Sequence, residues 1–233
     1  NLSKDIKNMS RELKLRINEL ENFAADVSHE IKNPLTSLRS AVDAFEKVAD
    51  KSQQEKLINI IRDDVQRIDR LITDISDASR LDAELSRSQM QPIDMIKVLE
   101  TISLVYKLDE KISRISLEIK NDKLWIIGIE ERLGQVIKNI VDNALSFAPA
   151  NTPIVIIAWC EDNSAIIICD DKGPGFAPED LTKIFDRFYT KRPDGEKFGK
   201  HSGLGLSISH QIIEAHGGKL VAENRKDVNN KII

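Results

Sequence analysis

An apolar seam is the strongest constraint on what this chain can become. Leu13, Ile17, Leu20, Ala24, Val27 and Ile31 follow one another at alternating spacings of four and three, the pattern of a heptad stripe along one helix face. The same spacing continues through Pro34 to Leu38, Ala41, Phe45 and Val48. One helix from about Ser3 to Ala49 would run roughly 70 Å, and a helix that long must lay its stripe against a partner. Pro34 removes one backbone donor inside it and is expected to kink it.

Asp50-Lys51-Ser52 reads as a turn. Beyond it, Leu57, Ile61, Ile68, Leu71, Ile75 and Ala78 form one stripe, and Ile58, Val65 and Ile72 form a second beside it. Two stripes suit a helix with two neighbours, which a lone hairpin cannot supply. Two hairpins paired as a four-helix bundle would supply them, so the expectation is a homodimer. Ser86 to Pro92 reads as the linker to the next domain.

Composition narrows the function classes. Of 233 residues, 41% are hydrophobic and 31% charged, a globular but charge-rich balance that long exposed helices explain. A net charge of -4 gives no electrostatic footprint for nucleic acid. Cys160 and Cys169 lie in apolar stretches without metal-type spacing and are expected as reduced core residues, in keeping with a cytosolic setting. No apolar run reaches the ~18 residues of a membrane span, and no signal peptide is visible. The pattern is already helical at Leu2-Ser3-Lys4-Asp5-Ile6, which leads to the expectation of a cytoplasmic fragment of a longer protein. Lys231-Ile232-Ile233 reads as a strand cut short.

His29 lies two residues from both Val27 and Ile31, about 200° around the helix from each. It should therefore point to solvent. Asn33, one turn on, shares that face, and Glu30 sits at its edge. Neutral imidazole, available near pH 7, is a nucleophile.

From about Met95 the pattern changes to helix and strand. Ile96 to Lys107 reads as a helix; 115–119 and 124–128 read as strands. Glu131 to Phe147 is amphipathic, with Leu133, Val136, Ile137, Ile140, Val141 and Ala144 on its buried side and Gln135, Asn139, Asn143 and Ser146 on the other. Ile154 to Ala158 and Ala165 to Cys169 read as paired strands. The turn Asp171-Lys172-Gly173-Pro174-Gly175 comes directly after them. Then come Ile184-Phe185-Asp186-Arg187-Phe188-Tyr189, a polar, basic stretch from Thr190 to His201, and Ser202-Gly203-Leu204-Gly205-Leu206 opening a helix from Ser207 to Ala215. Glycines at a helix N-terminus offer backbone N–H groups and the positive dipole end to a phosphate. No GxxxxGK[ST] loop is present, which excludes a Walker-type site. His216-Gly217-Gly218 should close the helix and lead to a strand from Lys219 to Ala222.

In this order, the histidine helix, the Asn139/Asn143 helix, the Asp171 turn and the Gly203/Gly205 turn resemble the sensor histidine kinases of two-component signalling. The resemblance implies a dimerising antiparallel helical hairpin, a four-helix bundle in the dimer, followed by an α/β sandwich ATPase domain of the kind shared with gyrase, Hsp90 and MutL. It divides the chain into a signalling helix or coiled-coil linker at 1–22 (the end of a HAMP-type module), a dimerisation and histidine-phosphotransfer domain at 23–86, a linker at 87–93 and an ATP-binding domain at 94–233. It implies that His29 is phosphorylated from ATP, that Glu30 hydrogen-bonds the ring and accepts its proton, and that Asn33 positions water for dephosphorylation of the partner.

By the same resemblance Asn143 binds Mg²⁺, Asn139 lines the phosphate region, and Asp171 accepts the adenine amino group while Gly173 and Gly175 let backbone approach the base. Phe185, Arg187 and Phe188 match the phenylalanine motif, the stretch from Thr190 is a lid, and Ser202, Gly203, Leu204, Gly205 and Leu206 cradle the triphosphate. Ser146 stands where many relatives carry a phosphate-contacting lysine, leaving Lys138, Arg187 or a lid lysine as substitutes. The implied partners are a second copy, a response-regulator receiver domain and an upstream sensor or HAMP-type module. The implied location is the cytoplasmic portion of an inner-membrane sensor. Asn33 keeps open a protein acting chiefly as a response-regulator phosphatase with ATP as conformational ligand; a non-catalytic dimeric scaffold would need a defect in His29, Asn143 or Asp171, and all three are present.

Overall fold

The computed structural model describes residues 2–108, 114–189 and 202–225. The chain divides into two compact units, one of residues 2–77 with Ser202 and one holding the remainder from Ala78.

In the first unit helix α1 (Leu2–Phe45) continues uninterrupted through Pro34, and the proline ring is fully buried. Helix α2 (Lys51–Arg87) begins directly after Asp50. The turn therefore lies at 46–50 rather than at Asp50-Lys51-Ser52, because Asp50 is the N-cap: its carboxylate accepts the Gln53 N–H at 3.1 Å, satisfying an orphan donor of the first turn. The predicted stripe is half-buried or buried from Val27 onward, with Ala41 5% exposed and Leu71 of α2 completely covered. Its earlier part is not covered: Leu13, Ile17 and Leu20 are 61%, 48% and 68% exposed. The second stripe of α2 (Ile58, Val65, Ile72) is also open to solvent.

Residues 87–93 hold the last residue of α2 and the start of strand β1 (Gln91–Asp94). Asp94 then caps helix α3 (Met95–Leu108) through the Ile96 N–H. Strand β1 pairs antiparallel with β3 (Trp125–Gly128). A second sheet has the order β2-β4-β5, built from β2 (Ile115–Ile119), β4 (Ile154–Glu161) and β5 (Ser164–Asp170). Strands β2 and β4 are parallel; β4 and β5 form an antiparallel hairpin. Its two-residue turn, Asp162-Asn163, has φ of 46° and 63°, the doubly left-handed turn that matches strand twist.

Helix α4 (Glu130–Phe147) buries Leu133, Val136, Ile137, Val141 and Ala144, whereas Ile140 is only half-buried. With α3 and alternate β4 residues Ile154, Ile156 and Ala158 these side chains form the core, as expected when a sheet face packs under helices. Helix α5 (Gly205–Ala215) lies against α4. It ends in a Schellman cap: Gly217 has φ +73°, Gly218 N–H donates to Ile213 O at 2.9 Å, and Gly217 N–H donates to Glu214 O.

Two expectations are corrected. Lys219 to Ala222 form no strand, since these residues join no ladder among the described residues. Cys160 is exposed rather than in the core, because it sits near the tip of the β4–β5 hairpin; Cys169, farther from the tip, is half-buried. The strand read at Lys231-Ile232-Ile233 and the lid from Thr190 to His201 lie outside the described residues. No helix among the described residues is long and apolar enough to cross a membrane.

Candidate functional site

On α1, His29 and Asn33 are exposed and share one face, as their spacing requires. Ser28, beside His29 in sequence, ties its hydroxyl back to Ala24 O. Glu30 turns the other way. Its Oε2 accepts from Arg67 Nη2 at 2.9 Å, with side chains only 19% and 12% exposed. The carboxylate beside the histidine is thus tied to α2, and Arg67 Nε and Asp64 Oδ2 nearby in sequence are buried with no hydrogen-bond partner among the described residues. Sequence reading could not find Arg67, because nothing local marks it and its partner is 37 residues away.

In the second unit the polar face of α4 carries Asn139 and Asn143 one turn apart, both half-buried. Asn139 Nδ2 donates to Gly205 O at 3.0 Å and to Ser209 Oγ at 3.2 Å. This clasps α4 to the first turn of α5, so the amide motif and the glycine turn are brought together. Leu204 occupies the cap position of α5, and among the described residues no side chain caps it; a helix start of this kind suits an anion. Gly203 has φ +75°, and its carbonyl accepts the Phe188 N–H at 3.0 Å. Phe188 itself lies at φ 60°, a costly setting for a bulky residue. Phe185, in a short 3-10 turn, stacks against His210 of α5 with ring centres 5.2 Å apart. The phenylalanine motif therefore meets the glycine turn as well.

Leu204 is fully buried, Leu206 is half-buried and Arg187 is exposed. Ser202 groups with α2 instead, donating its hydroxyl to Asp74. Burial raises the Asp74 carboxyl above its ordinary range, against the lowering effect of that hydrogen bond. Of the possible cationic substitutes for lysine at Ser146, Lys138 is exposed.

At the end of β5 two adjacent carboxylates, Asp170 and Asp171, separate by role. Asp170 is paired with Arg225 at 3.1 Å. Asp171 Oδ1 accepts the Gly173 N–H at 2.6 Å, which fixes the carboxylate's orientation in its own turn. A Cβ on Gly173 would lie 2.7 Å from that same oxygen, so a larger residue there would displace the Asp171 carboxylate. His216 holds the other side of the unit. Its Nε2 accepts the Ile129 N–H at 3.0 Å, so Nδ1 carries the proton and donates to Ile212 O at 2.7 Å. One imidazole thereby joins the start of α4 to the end of α5.

A divalent cation would find carboxamides here rather than a cage. No group of three or more His, Cys, Asp or Glu is poised for a metal among the described residues. Asn143, one turn from Asn139 on α4, carries a carboxamide oxygen, a donor that suits Mg²⁺ only when phosphates and waters complete its shell.

Comparison with known proteins agrees with this geometry. The His Kinase A (phospho-acceptor) domain family matches residues 19–84. The histidine kinase-, DNA gyrase B-, and HSP90-like ATPase family matches residues 128–233. The sensor protein ChvG of Rhizobium meliloti (strain 1021) is 45% identical over 96% of this chain and 40% of its own length. The signal transduction histidine-protein kinase BaeS of Escherichia coli (strain K12) is 27% identical over 95% of this chain and 47% of its own length. The chain thus spans less than half of either relative. Among solved structures, histidine kinase ThkA in complex with response regulator protein TrrA superposes with a TM-score of 0.70 at 26% identity, covering 91% of this chain and 60% of that one.

Proposed function

Because the chain belongs to the sensor histidine kinases of two-component signalling, we propose that it phosphorylates itself on His29 from ATP and passes the phosphoryl group to an aspartate of a response-regulator receiver domain. The observation that carries this reading is the exposure of His29 on α1 in a chain whose second unit gathers Asn139, Gly203 and Gly205 around an uncapped helix start. A nucleophile open to solvent and an anion-binding turn are the two parts phosphoryl transfer needs, since the reaction rests mainly on positioning and charge neutralisation.

In this reading a ring nitrogen of His29 attacks the γ-phosphorus, the bond to the β-phosphate oxygen breaks, and ADP leaves. Glu30 takes the imidazole proton, which requires it to exchange its bond to Arg67 for one to the ring. Asp171, its orientation set by Gly173, accepts the adenine amino group. Gly203 to Leu206 hold the phosphates by backbone N–H groups, and Asn143 with phosphate oxygens holds Mg²⁺. When bound, the cation would supply charge neutralisation for the transfer. Asn33, exposed on the histidine's face, positions water when the partner is dephosphorylated.

The protein acts as a homodimer, a proposal supported by the two uncovered apolar stripes of α1 and α2. A response regulator as partner is supported by the solved complex of the related kinase ThkA with TrrA. The sensor names and greater length of the relatives support a role as the cytoplasmic portion of an inner-membrane sensor with a HAMP-type module upstream.

The nucleotide site is tested by titrating ATP into the wild type, Asn143→Ala and Asp171→Asn. Each substitution removes a charge-assisted or metal-held contact and should weaken binding about tenfold or more. Unchanged affinity in both variants would contradict the assignment.

A further inference from the structure

Asn224 belongs to none of the sequence motifs, yet it makes the most specific contact to the loop that leaves β5. Its carboxamide bonds twice to a single residue: Oδ1 accepts the Phe176 N–H at 2.8 Å, and Nδ2 donates to Phe176 O at 2.7 Å. This is the pair of bonds one strand residue offers another, supplied here by a side chain. Gly175 is shaped to the same contact. It has φ +70°, and a Cβ there would lie 2.7 Å from Asn224 Oδ1, so no other residue fits without displacing the amide. The next residue, Arg225, pairs with Asp170, the last residue of β5 before the loop. Residues 224 and 225 thus pin the loop at both ends, with Asp171 and its Gly173 turn held between.

We propose that Asn224 is the positioning residue of the nucleobase loop: it holds the backbone at Gly175-Phe176 so that Asp171 meets the amino group of adenine already oriented. The proposal rests on the reading of Asp171 as the adenine acceptor. A loop without a regular ladder relies on such side-chain bonds, and preorganisation raises affinity by removing the ordering cost of binding. The effect should therefore fall on recognition of the base and not on the transfer step.

The test measures autophosphorylation of the whole chain against ATP and GTP in the wild type, Asn224→Ala, Asn224→Asp and Asp171→Asn. Loss of two neutral hydrogen bonds should raise half-saturating ATP about tenfold in Asn224→Ala. The rate at saturating ATP should stay unchanged, and the preference for ATP over GTP should fall. Asn224→Asp preserves size but turns a second acceptor toward Phe176 O, so it should show the same loss of preference and serves should the alanine variant fold poorly. A merely structural role would lower the saturating rate and leave the ATP-to-GTP ratio intact, and that result would overturn the proposal. If Asp171→Asn loses the preference while both Asn224 variants keep it, the inference fails and the site reading stands. If Asp171→Asn keeps the preference, the site reading fails and the inference falls with it.

Discussion

Cys169 lies half-buried on β5, where burial first, then the negative charges of Asp171 and Asp170, push its thiol up to about 12. Cys160, at the hairpin tip, is exposed. An alkylating reagent at pH 8 should therefore modify Cys160 readily and Cys169 only after unfolding, as counted by intact mass; equal labelling would contradict the packing of β5. The raised thiol also sets a pH dependence. Below its ordinary value of 9.0 both folded and unfolded states are protonated, and the contribution is fully present. Above that value the unfolded chain ionises while the folded one holds its proton, so stability is lost progressively up to about 12. Tyr106, raised by burial and then by its hydrogen bond to Asp142, acts in the same direction. Denaturant midpoints should fall from pH 9 upward, and flat midpoints would be inconsistent. Sequence spacing was enough to send His29 to solvent, because one helix's geometry decides it. The inward turn of Glu30 was not legible, since it depends on a guanidinium from another helix, and the exposure of Cys160 was not legible because apolar neighbours say nothing of distance from a turn.

Among the elements, α4 is the one on which the proposed nucleotide site stands, and its C-terminal end is held from outside. Arg114 donates to Leu145 O at 2.7 Å, to Ala148 O and Thr152 O at 3.3 Å, and to Pro149 O. A cation at a helix C-terminus answers both the orphan carbonyls and the dipole. Arg114→Ala should cost about 2–3 kcal/mol and lower the thermal midpoint of the second unit by several degrees; an unchanged midpoint in calorimetry would show the contacts to be idle. The amphipathic period located α4 to within a residue, since its buried side is repeated over several turns. The helix after Gly203 was found for the same reason, and its Schellman end was announced by Gly217-Gly218. Lys219 to Ala222 misled because a short apolar run is a strand only where a partner edge meets it, and partners are not written in local sequence. Asn224 gave no signal for a related reason: a lone amide in an extended segment is usually solvated.

In the molecule as a whole, the apolar seam is satisfied in one half and open in the other. Leu13, Ile17 and Leu20 of α1 and Ile58, Val65 and Ile72 of α2 are uncovered, a larger apolar stripe than a solitary hairpin ordinarily leaves in water. Sedimentation should show a dimer that dissociates on dilution, and Val65→Asp with Ile72→Asp should give monomer at all concentrations; a monomeric wild type would refute the bundle. Two stripes on one helix made this legible in the sequence, whereas the division of the chain after Asp77, inside α2, did not show in any change of composition. In the proposed function one chemical event joins the work of the two units: a phosphoryl group from ATP ends on His29. It is tested by incubating the wild type and His29→Gln with γ-labelled ATP and Mg²⁺, then treating the protein with acid and with alkali. A phosphohistidine at this position gives label that survives alkali, is lost in acid, and is missing from His29→Gln. Label retained in His29→Gln, or label in the wild type that survives acid, would place the phosphoryl group elsewhere and refute the assignment.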